Sequence, residues 1–334
     1  MTYYVLVTCL ALAAFLSLNA VASLAATGLW FGLRRRMRHR PATARARILF
    51  WLSVLPPACA LVFVAALMLP AYVAHEPNPA PEAAGLPLLA IALCSASVIA
   101  LALFRAAASW LATRRLTAFW LRQSEPVKLK GVAVPAYRLR HSTPVLAVVG
   151  SLRPRLFIAG QVMGSLSPEE LEMALAHERG HLLARDTLKR AVMQFCRNLL
   201  PFVGAGSALG RAWAEEAERA ADEYAARSGT TGALDLAAAL IKLARLMPAG
   251  VKSAVPAGAF LLEGDDDGLA GRVRRLTEMA SDKATSAGRG LLFSKLIVPT
   301  GIVGLAVALA VTAADWQILA TVHALTERIV KLLT

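Results

Sequence analysis

The stretch "LSPEELEMALAHERGHLLARD", residues 166–186, contains one His-Glu-x-x-His and decides how the rest of the chain is read. Its opening residues encode a helix start. Ser167 can cap, Pro168 suits the first helical position, and Glu170 completes a capping box. Leu171, Leu175, Leu182 and Leu183 recur at helical spacing, which predicts a helix over 168–184, with Asp186 past its end and helping to end it. His177 and His181 then project from one face, one turn apart, so two imidazoles can reach one ion at about 2.0–2.1 Å. Glu178 lies about 100° around the helix, where it can take a proton from water without ligating. The chain has six histidines, so two at this spacing with Glu between them on a capped helix predict a metal site. The bland alternative is a pair of surface histidines on a polar face.

A catalytic zinc needs a third protein ligand and an open position. "EEAERAADEYAA" (215–226) lies on a second predicted helix, 212–229, and offers Glu218, with Asp222 four residues on along the same face. Asp222 can accept a hydrogen bond from a ligand histidine and fix its tautomer. Spacing alone leaves Glu215 and Glu216 as rivals to Glu218. His141 is the other histidine of this region, and pairing with Arg219 is the ordinary use of such glutamates.

Outward from this site the chain becomes apolar. It is 57% hydrophobic and 17% charged over 334 residues, and the apolar residues fall into long blocks. Three transmembrane helices are predicted at about 3–33, 48–73 and 86–110, with Pro56-Pro57 as a kink, and a fourth at 291–314. The first block has no Lys or Arg before Arg34 and is too long for a signal-peptide core, so it reads as a retained span. The loop 34–47 holds seven arginines and no acid, whereas 75–85 holds two glutamates and no Lys or Arg. The positive-inside rule therefore predicts a cytoplasmic first loop, extracytoplasmic termini, a cytoplasmic insert over 113–290 and a short outside tail, 315–334, in an inner membrane.

Half of the net charge of +14 sits in that one loop, where membrane insertion and anionic headgroups account for it. The insert holds 25 Lys and Arg against 18 Asp and Glu, so direct nucleic-acid binding is not expected. Four cysteines without a CxxC argue against disulfides and thiolate clusters. Within the insert, "PVLAVVG" and "RLFIAG" read as strands of a small sheet, "ALDLAAALIKLARLM" (233–247) as a helix, "EGDDDG" as an acidic turn and "LAGRVRRLTEMA" as a short amphipathic helix. The apolar run 191–210 carries Arg197, Asn198 and Pro201, and is expected to lie against the membrane or the spans rather than cross.

"GSLRPRLFIAG", "LSPEELEMALAHERGHLLARD" and "EAERAADEYAA", between a third and a fourth span, resemble the BlaR/MecR-type membrane metallopeptidases, the β-lactam sensor-transducers and their relatives. The resemblance implies an integral membrane α-helical protein of four spans, three plus one, with an inserted cytoplasmic α+β zincin-like domain. It implies one Zn2+ held by His177, His181 and Glu218, with Glu178 as catalytic base in the gluzincin manner. Asp222 matches the family's supporting acid, Asp186 is a further candidate, and Val149, Gly150 and Ser151 mark a sheet edge where a substrate strand could add. The sensor-transducers carry a penicillin-binding domain after the fourth span. The stretch "DWQILATVHALTERIVKLLT" has no serine, so β-lactam acylation there is not expected.

The leading expectation is a zinc endopeptidase cutting a cytoplasmic or membrane-proximal protein, with a transcriptional repressor as the substrate the resemblance suggests. Tyr224 and His141 are candidates for a second oxyanion donor. The alternatives are a membrane quality-control protease and a non-enzymatic signalling or scaffold protein in which zinc staples two helices. Membrane lipids are the other expected partner.

Overall fold

The computed structural model describes residues 3–75, 85–140, 144–201, 204–229, 231–246 and 266–281, with 317, 319–322, 324 and 328. The predicted fourth span, His141 and most of the 315–334 tail lie outside the described residues.

Among the described residues three helices are long and apolar enough to cross a membrane: Tyr4–Leu33, Ala42–Tyr72 and Leu86–Arg122. The first is α1 (Tyr3–Leu33). The second comprises α2 (Ala42–Phe63), a π-helical turn at Val64–Met68, and α3 (Leu69–His75). Helix α2 runs as α-helix through Pro56 and Pro57, so the break from α geometry falls at 64–68 and not at the prolines. The third, α4 (Leu86–Arg122), extends past the predicted end at 110. At 1.5 Å per residue its 37 residues reach about 55 Å, against roughly 30 Å of hydrocarbon. Its last turns, which hold Arg114, Arg115 and Arg122, exceed the length that a crossing needs. Val21, Leu24, Leu61, Leu93 and Phe104 stand in the open, as lipid-facing side chains do.

Strand β1 (Ser124–Val127) follows α4 directly, and β2 (Ala136–Leu139), β3 (Leu146–Val149) and β4 (Arg155–Ala159) complete a four-stranded sheet. Its order is β1-β2-β4-β3, with β2 and β4 parallel and the other pairs antiparallel, so among the described residues β3 is an edge. Period-2 alternation gives the sheet two apolar faces. Val145, Ala147, Val149 and Phe157 pack on Trp120, which anchors the sheet to the end of α4. Leu146, Val148, Leu156 and Ile158 face the main core with Leu175, Leu236, Leu240 and Leu276.

That core is closed by helices α5 (Gly160–Ser165), α6 (Pro168–Ala184), α8 (Ala205–Ala226), α9 (Gly232–Leu246) and α10 (Asp266–Ser281), while α7 (Asp186–Asn198) lies outside it. The predicted capping box is present: Ser167 Oγ accepts from the Glu170 amide at 3.2 Å, and the Ser167 amide donates to Glu170 Oε2 at 2.8 Å. Helix α6 ends because Arg185 turns left-handed, with φ +55°, rather than through a cap from Asp186. In the ambiguous run 191–210 the described residues end α7, which packs against α2 and α4, and begin α8, which packs along α1 and α2. Trp30, Ala46 and Leu49 of the spans share a core with Met193, Leu209, Trp213 and Ala217.

Candidate metal centre

Helix α6 supplies His177, Glu178 and His181, and α8 supplies Glu218 and Asp222. The two Nε2 atoms lie 3.1 Å apart; His177 Nε2 is 3.5 Å from Glu218 Oε2, and His181 Nε2 is 3.4 Å from Glu218 Oε1. Among the described residues these three side chains form the group able to hold a metal ion. Glu216 instead pairs with Arg45 and Arg219, and Glu215 lies 3.8 Å from Arg219, so geometry selects Glu218 from its rivals.

Two features test whether this donor set suits zinc. Tetrahedral donors at about 2.0–2.1 Å from an ion sit about 3.3–3.4 Å from one another, close to the three separations observed. The far nitrogens also face carboxylates: His181 Nδ1 is hydrogen-bonded to Asp186 Oδ2 at 2.8 Å, and His177 Nδ1 lies 3.0 Å from Asp222 Oδ1. A carboxylate at Nδ1 leaves each Nε2 lone pair directed at the shared point, the arrangement that orients metal-ligating histidines. The residues fit the ion.

Burial alone would raise the Glu218 carboxyl, but His181, His177 and Arg272 hold it well below the usual carboxylate range. Burial favours neutral imidazoles, yet Asp222 and Glu218 raise the His177 pKa, and Glu218 and Asp186 raise that of His181 further. Burial pushes the Glu178 carboxyl up; the two histidines and a hydrogen bond from the Val148 amide oppose it without cancelling it. A buried carboxylate with a raised pKa beside two imidazoles is suited to proton transfer.

One participant was not singled out from sequence. Arg272 of α10 forks onto Asp222, Nε to Oδ2 at 3.0 Å and Nη2 to Oδ1 at 2.7 Å, while its Nη1 lies 3.1 Å from Glu218 Oε2. Its signal was present. Arg272 falls among Leu269, Val273 and Leu276, the apolar stripe of an amphipathic helix, where a buried cation requires carboxylate partners. At the sheet edge, Val149 closes β3 while Gly150 and Ser151 belong to the turn into β4; Gly150 has φ +104°. The edge amide that meets the site is that of Val148. Tyr224 lies on α8, half-buried against the α6 backbone near Gly180.

Residues 130–286 match the model of Peptidase family M48. The matched segment contains the sheet from β2 onward, the His177–Glu178–His181 helix, Glu218, Asp222 and Arg272. No curated protein matches the chain. Peptidases of family M48 are typically zinc-dependent, so the match and the His-His-Glu group together support a zinc metallopeptidase activity for this region.

Proposed function

We propose that the chain is a membrane-embedded zinc endopeptidase that cuts a cytoplasmic or membrane-proximal protein. The observation that carries this reading is the convergence of His177, His181 and Glu218 at zinc-compatible spacing, with Glu178 beside them, inside the segment that matches the M48 model. One ion is held per chain. Bound there, zinc supplies a Lewis acid and an acidified water. Asp222 and Asp186 fix the imidazoles, and Arg272 fixes Asp222 and Glu218. Glu178 takes the proton of the attacking water and returns it to the leaving amine.

The open β3 edge suits an extended substrate, since backbone pairing binds a peptide with little demand on its sequence. A strand added there competes for the Val148 amide and releases Glu178 to turn toward the water. Helix α8 supports a membrane-proximal substrate: Trp213 and Ala217 pack on Trp30 and Leu49 just before Glu218. The motif likeness to the BlaR/MecR-type enzymes favours a transcriptional repressor as substrate, and the basic 34–47 loop favours a cytoplasmic peptidase domain in an inner membrane.

The test is purification of wild type and Glu178→Gln in detergent, with metal analysis and mapping of cleaved protein ends in cells. The expected Glu178→Gln protein is folded, carries zinc and generates no ends. A Glu178→Gln protein that preserves the cellular function would instead mean that the ion only staples α6 to α8.

A further inference from the structure

Helix α8 has a second charged face. Glu216 and Glu223 lie about 140–160° around the helix from Glu218, and both engage the start of the second membrane helix. Arg45 donates to Glu216 Oε2 from Nε at 2.8 Å and lies 2.7 Å from it through Nη2, while Arg219 takes the other oxygen at 2.8 Å. The Ala42 amide, at the first turn of α2, donates to the Glu223 carboxylate. Arg45 also donates to the Arg38 carbonyl at 2.9 Å, which ties it to the 3-10 turn Arg36–His39 between the first two spans.

That turn is strongly cationic. Arg34, Arg35, Arg36, Arg38 and Arg40 are all exposed, and residues 1–75 contain no acid. Among the described residues none of the five has a carboxylate partner. The Arg34 guanidinium lies over the Phe31 ring at 5.1 Å, an aromatic at the end of an apolar helix. Two helices fit to cross a bilayer place this turn at headgroup level, where clustered arginines attract anionic lipid.

We propose that the Arg34–Arg40 turn binds anionic lipid headgroups, and that binding steadies α8, and with it Glu218 and Asp222, through the Arg45–Glu216 and Ala42–Glu223 contacts. The lipid contact stands independently; its effect on zinc rests on the metal-centre reading above. The occupant is a bilayer surface because the cations lie at the mouth of two apolar helices and not in a cavity sized for a soluble anion.

The full chain is placed in nanodiscs of phosphatidylcholine alone or mixed with phosphatidylglycerol. Amide exchange over α8 and zinc affinity by chelator competition are then read. Phosphatidylglycerol slows exchange across 212–226 in the metal-free protein and tightens zinc about fivefold, the low end of typical coupling between sites. Arg34→Gln/Arg35→Gln/Arg36→Gln removes both responses and leaves the phosphatidylcholine values unchanged. Arg45→Gln retains the anionic lipid, measured by what copurifies, but uncouples α8 from it. Equal exchange in the two discs, a response that survives the triple substitution, or an equal effect of glycerophosphate added to neutral discs overturns the proposal. Slowed exchange with no zinc bound in either disc leaves the lipid site standing and refutes the metal reading.

Discussion

Gly180 of α6 packs tightly on Ala221 of α8: a Cβ on Gly180 would lie 3.2 Å from the Ala221 Cα and 3.4 Å from its Cβ. The glycine sits between His177 and His181, so the spacing of these helices is also the spacing of two ligands from the third. Gly180→Ala should gain up to about 1 kcal/mol of helix propensity while pushing the helices apart by a few tenths of an ångström. We expect near-unchanged melting and weaker zinc binding. Gly180→Leu should bind no zinc. Full metal content in purified Gly180→Leu would show that α6 and α8 do not set the site.

Arg272 touches both Glu218 and Asp222 of α8. Lysine cannot reproduce the fork onto Asp222 while reaching Glu218. Arg272→Lys should therefore fold but lose about 10–100-fold in zinc affinity, the usual cost of disturbing the partners of metal ligands. Arg272→Gln leaves buried carboxylates without their cation and should destabilise the domain by about 3–5 kcal/mol. Zinc competition and thermal melts of the two variants separate these effects. Wild-type affinity in Arg272→Lys would refute the positioning role.

What was legible in the sequence was local. The capping box and leucine spacing place α6 at 168–184, as observed, because helix starts are written in adjacent residues. Apolar runs mark three spans for the same reason. The junctions were less visible. The end of α4 is set at 122 by Trp120 packing on Phe157, a contact that no pattern within 86–110 announces. Choosing Glu218 over Glu216 depends on Arg45, 171 positions earlier, which draws Glu216 to the opposite face of α8. Arg272 was readable as a charge in an apolar stripe, but its partners lie 50 residues away.

Cys196 lines a small cavity among α1, α2, α7 and α8, beside Ser23, Thr27 and Ser53. Burial pushes its thiol from 9.0 up to about 11. Two pH units correspond to about a hundredfold less thiolate at a given neutral pH, and the thiolate is the nucleophile. In a Cys9→Ala/Cys59→Ala/Cys94→Ala background, maleimide should label Cys196 about a hundredfold more slowly than a free thiol and at full speed after denaturation. Labelling at the free-thiol rate in the folded protein would mean that α7 is not packed on the spans.

The raised pKa values of His177 and His181 make zinc uptake depend on pH in a definite direction. In the metal-free protein, charged imidazoles between Glu218, Asp222 and Asp186 stabilise the fold. That contribution is fully present below the unfolded histidine value of about 6.5 and is lost as pH rises through the higher folded values. Zinc requires the same rings neutral, so each ion bound must displace their protons. Glu218, held well below the usual range, is ionised throughout and contributes no proton. Zinc affinity should therefore climb as pH rises and keep climbing above about 6.5, where an unperturbed histidine pair would level off. Calorimetry in buffers of different ionisation enthalpy should show proton release near neutral pH, fading as pH passes the raised histidine values. An affinity that plateaus at about pH 6.5, with no proton release above it, would mean that Asp222, Asp186 and Glu218 do not hold the rings as described.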